Sequence, residues 1–323
     1  MGMMKFSLAI ALAVLLAVLS ITTAAPSNLK DFETQYPAPW HLQMISNRDP
    51  KHYTYPYRFD DSAGSGVFVY VLDSGVNETH PQFSEGQVIQ GTEIIPRGCE
   101  FAVRSKYHGT AVASMIAGRD VGVAKNATIV DVQVGAVMKE CHDYDAMEQA
   151  LLWTLLDIKR NRRENNSVVN ISWTNDEGCG MMDFWINRLW NLGVPVVVAA
   201  GNHNKEAEKF CPANTNFAMT VASMDPFWSR SPFSNYGFAV DIFAPGGHVS
   251  LASTEPGREI GEFHGTSFAA PMVAGVIAYL IAKDGHDDPE GMFQTLRDLA
   301  TNDVLGNTEG TPNLLLYNGI GFY

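Results

Sequence analysis

Residues 67–75 read VFVYVLDSG, an uninterrupted apolar run that ends in an aspartate and a glycine. Four further short apolar runs follow along the chain, at residues 127–134, 167–173, 194–201 and 217–223. Helical stretches alternate with them. Strands that are apolar on both faces are typical of a parallel sheet covered by helices on each side. The sequence therefore predicts an α/β fold, a three-layer sandwich in which a central, mostly parallel sheet is flanked by helices.

Reactive side chains stand where such a sheet places its ligands, beyond the carboxyl ends of the strands. Asp73, Ser172 and Asn202 come just after predicted strands. Two apolar helices rich in small residues begin at reactive groups, one at His108 in HGTAVAS and one at Ser267 in TSFAAPMVAG. We therefore expect these groups to lie near one edge of the sheet.

Asp73, His108 and Ser267 are the components of a nucleophilic triad. A serine hydroxyl becomes a useful nucleophile only when an imidazole takes its proton, and a carboxylate must hold that imidazole in the correct tautomer. Each residue alone has a plainer interpretation: a turn aspartate, one of nine histidines, or a helix cap. Capping does not explain the glycine before Ser267 or the long apolar helix after it, so the three together predict catalysis.

The segments VFVYVLDSG, HGTAVASMIAG and HGTSFAAPMVAG, in this order, resemble the three signatures of the subtilisin superfamily of serine proteases. The segment AAGN, which ends at Asn202, resembles the fourth signature. The resemblance implies that the Asn202 amide and the backbone N–H of Ser267 form an oxyanion hole. It also implies hydrolysis of internal peptide bonds through an acyl-enzyme, so the expected partners are polypeptide substrates.

Shorter segments are similar to the proteinase K-like branch of fungal secreted proteases. They lie at residues 38–40, 234–246 and 313–318, and the resemblance as a whole implies one peptidase domain over residues 37–323. It also suggests a structural calcium ion, held by the Asp241 carboxylate and the carbonyls of Asn216 and Ala218, since calcium prefers oxygen ligands. A purely structural Asp241 is the alternative, and no organic cofactor is implied.

The resemblance further predicts the substrate-binding residues, some of which depart from the family pattern. They are Ser172, Trp173, Thr174, Ala200 and Gly201. The first three, with Asn175, stand where the family usually has a glycine-rich wall of the primary specificity pocket, so side chains here would narrow it.

Other departures lie at the outer substrate-binding edge and around the triad. Residues 140–142 (Glu-Cys-His) replace small residues at that edge. Around the triad, five residues replace more usual ones: Tyr107, Ala111, His264, Phe268 and Met272. His264, three positions before the nucleophile, would alter its electrostatics.

The N-terminus reads as a secretory signal peptide over residues 1–25, with one lysine, an apolar stretch and small residues before the cleavage site. A transmembrane anchor is the alternative, but the apolar run at residues 6–21 is shorter than the roughly 20 residues that a spanning helix needs. Residues 26–36 form a short segment without a recognisable inhibitory prodomain. The mature protein is therefore expected to be extracellular, and to fold alone or with help in trans unless the sequence is incomplete.

The composition and charge of the chain limit the classes of partner that we expect it to bind. The chain is 46% hydrophobic and carries a formal charge of −13, which becomes −14 when the signal peptide and its single Lys5 are removed. Such an acidic globular protein is not expected to bind nucleic acid or an anionic membrane, and a monomer is the simplest state.

Four cysteines remain after cleavage, and an even number in an exported protein predicts two disulfides. Three connectivities are open. We favour pairing of neighbours, which closes the shorter loops, namely Cys99 with Cys141 and Cys179 with Cys211. Zinc-binding Cys-x-x-Cys or His-Glu-x-x-His patterns do not occur, so the sequence alone does not predict a zinc site.

Two functions of different class remain open. An active secreted endopeptidase is favoured because Asp73, His108, Ser267 and Asn202 are all present. A secreted pseudoprotease that binds a partner is the alternative, supported by the altered pocket and the missing prodomain. An α/β-hydrolase esterase is disfavoured, because it needs a Gly-x-Ser-x-Gly motif and the order Ser, acid, His.

Overall fold

The computed structural model describes residues 32–49, 55–95, 105–135, 144–176 and 178–320. The α-helices in these ranges are α1 (Trp40–Ile45), α2 (Tyr107–Ala117), α3 (Tyr144–Asn161), α4 (Met182–Trp190), α5 (Thr266–Asp284) and α6 (Pro289–Leu299). The first seven strands are β1 (Phe32–Gln35), β2 (Tyr57–Asp60), β3 (Phe68–Asp73), β4 (Val88–Ile94), β5 (Thr128–Val134), β6 (Ser167–Ile171) and β7 (Val196–Ala199). The remaining strands are β8 (Met219–Met224), β9 (Ile242–Pro245), β10 (Val249–Ala252), β11 (Ile260–Phe263), β12 (Thr301–Asn302) and β13 (Leu314–Leu315).

Within the described ranges, nine strands form one sheet in the order β12-β13-β9-β8-β7-β6-β3-β5-β4. All neighbouring pairs are parallel except β12 and β13, which are antiparallel. This confirms the predicted mostly parallel central sheet. All five apolar runs of the sequence became strands of this sheet, namely β3, β5, β6, β7 and β8.

The centre of the sheet explains where the reactive residues meet. From β3 the chain adds β4 and β5 on one side and then returns to place β6 and all later strands of this sheet on the other. A reversal of this kind leaves a crevice beyond the carboxyl ends of the two flanking strands. Asp73 ends β3 and Ser172 follows β6, so both lie at this crevice.

Helices pack on the two faces of the sheet and form separate apolar layers. One layer contains α2 and α5, and the other contains residues of α3 and α4. Helix α5 is long and apolar enough to resemble a membrane-spanning segment, but 83% of its most apolar window is buried inside the protein. Its apolar surface is therefore used in the core.

One predicted disulfide lies in the described part of the chain. Cys179 and Cys211 are bonded, with Cα atoms 5.2 Å apart. This is one of the two neighbour pairs favoured by the sequence. Cys99, Cys141, residues 140–142 and the predicted signal peptide lie outside the described residues.

Candidate active site

Asp73 and His108 form a close hydrogen-bonded pair. The Nδ1 atom of His108 lies 2.8 Å from Oδ1 and 3.0 Å from Oδ2 of Asp73. The Asp73 side chain is only 5% exposed whereas that of His108 is 40% exposed. A buried carboxylate thus orients an imidazole that remains open on its other side, as a general base requires.

The close approach of α2 to the end of β3 creates this pair. Gly109 lies against Gly75, and a Cβ atom at position 109 would overlap the Gly75 carbonyl oxygen. The Gly109 N–H donates to Oγ of Ser74 at 3.1 Å, and the Ser74 N–H donates to Oδ1 of Asp73 at 2.7 Å. The glycine after His108 therefore lets the helix bring its histidine to the carboxylate.

The electrostatics of the pair favour a histidine that holds its proton more strongly than usual. Burial lowers the pKa of His108, but the nearby Asp73 charge and the hydrogen bond to it raise the pKa, and the net pKa lies above its ordinary value. Asp73 thus stabilises the imidazolium that forms when His108 accepts a proton.

A second buried carboxylate, Asp131 on β5, supports the loop after Asp73. Its Oδ2 accepts the Val76 N–H at 3.0 Å, whereas its Oδ1 is buried and has no hydrogen-bond partner among the residues that the structure describes. Burial raises the pKa of Asp131 from 3.8 to about 6, and the Asp73 charge adds to this. The only sequence signal for this residue was a charge in the middle of an apolar strand.

Ser267 lies in the first turn of α5 and exchanges two hydrogen bonds with Ser172. The Ser267 hydroxyl donates to the Ser172 carbonyl at 3.2 Å, and the Ser172 hydroxyl donates to the Ser267 carbonyl at 2.7 Å. The ring of the adjacent Phe268 lies 5.3 Å from that of His108, centroid to centroid. The described residues show no hydrogen bond between Ser267 and His108, and the Ser267 hydroxyl points to the Ser172 carbonyl instead.

Asn202 is held through its amide oxygen, and within the described ranges its amide nitrogen has no hydrogen-bond partner. Its Oδ1 accepts the backbone N–H of Thr266 at 2.8 Å and the Thr266 hydroxyl at 2.9 Å. The carbonyl side of the amide is thereby fixed. An Asn202 Nδ2 beside the start of α5 can donate to a developing oxyanion.

Asn235 supports the Asn202 loop from the interior, a role that sequence reasoning missed. Its Oδ1 accepts the N–H groups of His203 and Lys205, and its Nδ2 donates to the Ala200 carbonyl at 2.8 Å. Gly201 has a φ of 103°, and a Cβ there would overlap the Asn235 side chain. The sequence motif Ser-Asn-Tyr-Gly at residues 234–237 contained Asn235, but its spacing did not indicate what it contacts.

The comparisons with known proteins agree with this architecture. The model of the subtilase family matches residues 64–320. The chain belongs to the subtilase family. As a member, it is a serine-type endopeptidase.

Named relatives of this subtilase include fungal proteases. The chain is 36% identical to "Alkaline protease 1" of Aspergillus flavus over 291 residues, which cover 90% of this chain and 70% of that protein. It is 38% identical to "Alkaline proteinase" of Hapsidospora chrysogena, with 87% and 68% covered. Among solved structures, a cold adapted subtilisin-like serine proteinase matches with a TM-score of 0.77 and 31% identity, covering 87% of this chain and 98% of that one.

The predicted substrate-binding residues of this subtilase lie on two neighbouring segments. Ser172 is buried and hydrogen-bonded to Ser267, and the next two residues, Trp173 and Thr174, are partly exposed. The Thr174 hydroxyl faces Gly201, at 3.3 Å from where a Cβ of residue 201 would stand. Ala200 is fully buried. Of the residues predicted to bind substrate, Trp173 and Thr174 are the two with partly exposed side chains.

The contacts of Asp241 do not fit the predicted calcium ion. Structural calcium is common in proteins with this fold, but here Arg297 of α6 donates to Oδ1 of Asp241 at 3.2 Å. Its Oδ2 accepts the Thr220 N–H at 2.8 Å. Each Asp241 oxygen thus already has a donor, and the guanidinium places a positive charge where a cation would be repelled. These contacts favour the alternative of a structural Asp241. Calcium held by Asp241 with the carbonyls of Asn216 and Ala218 stays a prediction, and no local sequence pattern indicated that α6 would bring an arginine there.

Proposed function

We propose that this subtilase is a secreted endopeptidase in which Ser267 is the nucleophile, His108 the general base and Asp73 the residue that orients it. The observation that carries the proposal is the Asp73–His108 pair, whose two N···O distances are 2.8 and 3.0 Å. This pair lies at the crevice where Ser267 begins α5 and Asn202 follows β7.

The reaction begins with rotation of the Ser267 side chain. Its hydroxyl leaves the Ser172 carbonyl and turns to Nε2 of His108. Catalytic hydrogen bonds are often long or poorly aligned before substrate binds, so their absence in the free protein is compatible with this step. The Ser267 oxygen then bonds to the carbonyl carbon of the peptide while its proton passes to His108. The imidazolium is stabilised by Asp73.

The negative charge on the substrate oxygen is received by two donors. They are Nδ2 of Asn202 and the backbone N–H of Ser267, which lies in the first helical turn, where N–H groups have no intrahelical acceptor. His108 next gives its proton to the leaving nitrogen, and the C–N bond breaks. Water repeats the sequence on the acyl-enzyme and regenerates the serine hydroxyl.

The remaining features of the proposal concern the whole chain. Residues 1–25 are removed on export, and residues 37–323 act as one peptidase domain and as a monomer outside the cell. The substrates are polypeptides, and Trp173 and Thr174 border the pocket for the residue before the cleaved bond. Alkaline proteases among the relatives support proteolysis by this chain.

The decisive experiment compares the secreted protein with its Ser267→Ala and Ser84→Ala variants. Ser84 is an exposed serine outside the site and serves as the matched control. Each protein is treated with a fluorophosphonate probe and with unfolded casein. The parent and Ser84→Ala should be labelled and digest casein, whereas Ser267→Ala should do neither. Absence of both activities in the folded parent would contradict the proposal and favour a binding protein without catalysis.

A further inference from the structure

A two-stranded hairpin leads directly into the nucleophile helix and carries an unusual cluster on its outer face. Strands β10 and β11 are antiparallel, with Val249 opposite Phe263. The next pair along the register is His248 opposite His264. Because side chains alternate along a strand, Glu262 lies on the same face as His264.

The two faces of the hairpin differ sharply. Val249, Leu251 and Phe263 point into the core and are almost fully buried. The side chains of His248, Glu262 and His264 are 55%, 60% and 49% exposed. Packing does not explain a cluster of two imidazoles and a carboxylate on the solvent side.

The ligand atoms of the cluster are already close together. Nδ1 of His248 lies 3.0 Å from Oε1 of Glu262, and Nε2 of His264 lies 4.0 Å from the same oxygen. One ligand atom from each residue lies within 4.8 Å of the others. Ligands at about 2.0–2.1 Å around a tetrahedral zinc ion are roughly 3.3 Å apart, so small side-chain shifts would bring these three together.

We propose that His248, Glu262 and His264 bind a divalent transition-metal ion, with Zn²⁺ the best match. Two imidazoles and one carboxylate are ligands that zinc accepts, and three protein ligands leave room for water. This site is separate from the Asp73–His108 pair and does not depend on the proposed catalytic function.

Binding requires a local exchange of hydrogen bonds. The metal replaces the contact between His248 and Glu262. Nδ1 of His264 accepts the backbone N–H of His248 at 3.3 Å. If Nε2 of His264 binds the metal, the ring proton moves from Nε2 to Nδ1, and this long hydrogen bond is lost. Both rings are exposed, so each can change tautomer in exchange with water.

The backbone around the cluster is held in place. Trp40 Nε1 donates to the His248 carbonyl at 2.7 Å, and the Gly265 N–H donates to the Gly246 carbonyl at 2.9 Å. The ion therefore joins two strands that are already positioned, and we expect it to stabilise the folded protein. Thr266, the residue that fixes Asn202, is only two positions from His264.

The test is calorimetric titration of Zn²⁺ into the full secreted chain carrying Ser267→Ala, which prevents self-digestion, at neutral pH or above so that protons do not compete for the imidazoles. We expect one saturable site. Adding His264→Ala or Glu262→Gln should weaken binding about tenfold or more. Adding His286→Ala, a histidine beyond the opposite end of α5, should leave affinity unchanged.

A second measurement separates binding from misfolding. Zn²⁺ should raise the Tm of the parent and of His286→Ala, but not of His264→Ala, whose Tm without metal should equal that of the parent because the ring is exposed. The proposal is overturned if Zn²⁺ does not bind, or if the hairpin substitutions leave its affinity unchanged. Equal weakening by His286→Ala would also overturn it.

Discussion

Ser172 and Ser267 are joined by two reciprocal hydrogen bonds, one from each hydroxyl to the other residue's carbonyl, at 2.7 and 3.2 Å. The pair ties the first turn of α5 to the end of β6. The nucleophile therefore rests on the strand beside the one that carries Asp73. The Ser172 hydroxyl holds the Ser267 carbonyl through the shorter bond, whereas the Ser267 hydroxyl must leave the longer one before it can turn to His108.

Replacement of Ser172 by alanine should impair turnover more than substrate binding. The variant loses the hydrogen bond to the Ser267 carbonyl, worth about 1 kcal/mol, so kcat should fall about fivefold while KM changes little. Steady-state kinetics on a peptide substrate measure both constants, with Ser84→Ala as the control. A rise in KM with unchanged kcat would show that Ser172 acts on the substrate and not on the nucleophile.

The orientation of Asn202 by Thr266 predicts a graded loss of activity. Asn202→Ala removes an oxyanion donor and should lower kcat by about 10²- to 10³-fold, a range established for the corresponding amide in subtilisin itself. Thr266→Val keeps the backbone donor to Asn202 but removes the hydroxyl, so its loss should be smaller. If Thr266→Val lowered kcat as much as Asn202→Ala, the Thr266 hydroxyl would do more than orient Asn202.

The rate should depend on pH through His108. Only the neutral imidazole accepts a proton, so kcat/KM should decline as pH falls through the pKa of His108. Asp73 raises that pKa whereas burial lowers it. Asp73→Asn should therefore move the acidic limb of the profile to lower pH and reduce kcat on the order of 10⁴-fold. A pH–rate profile of each protein tests this, and a rate that keeps rising below pH 5, about 1.5 units under an ordinary histidine pKa, would rule out the assignment.

Asp131 should make the protein less stable as its carboxyl ionises. Its pKa is about 6 in the folded protein against 3.8 ordinarily, so the folded state binds more protons between these values. The free energy of unfolding therefore decreases as pH rises through this window, by about 3 kcal/mol at most.

The check on this sign is Asp131→Asn, which keeps an oxygen for the Val76 N–H without the buried charge. Urea unfolding at pH values across the window should show a flatter dependence and greater stability than the parent above it. Asp61→Asn, at an exposed carboxylate, should change neither. A variant less stable than the parent at alkaline pH would show that the charge itself is needed.

Arg297 should make the Asp241 region insensitive to calcium removal. The guanidinium already supplies positive charge at Oδ1, so a chelator should leave stability at this site unchanged. Arg297→Gln should lower the free energy of unfolding by about 1 kcal/mol, because a largely buried carboxylate loses its partner. Thermal unfolding with and without chelator tests both. A chelator-dependent fall in Tm of the parent that Asp241→Asn abolishes would show that calcium binds there.

Much of the architecture could be predicted from the apolar runs and the local motifs of the sequence. The apolar runs predicted the parallel strands, since a strand buried on both faces must be apolar throughout. The residues that end them marked the crevice because parallel strands finish at one edge. Asp73, His108, Ser267 and Asn202 could be selected in this way because each stands at a strand end or helix start.

Contacts between distant segments were decided only by the tertiary structure. No spacing along the sequence indicated that Ser172 would bond to Ser267. The same holds for the contacts of Asn235 with the Asn202 loop and for the contact of Arg297 with Asp241. The same is true of His248 and Glu262, which meet only through the register of the hairpin. The sequence by itself determined which groups could react, because local patterns specify strands and helices. Their partners depended on packing, because burial brings together side chains whose separation along the chain has no fixed value.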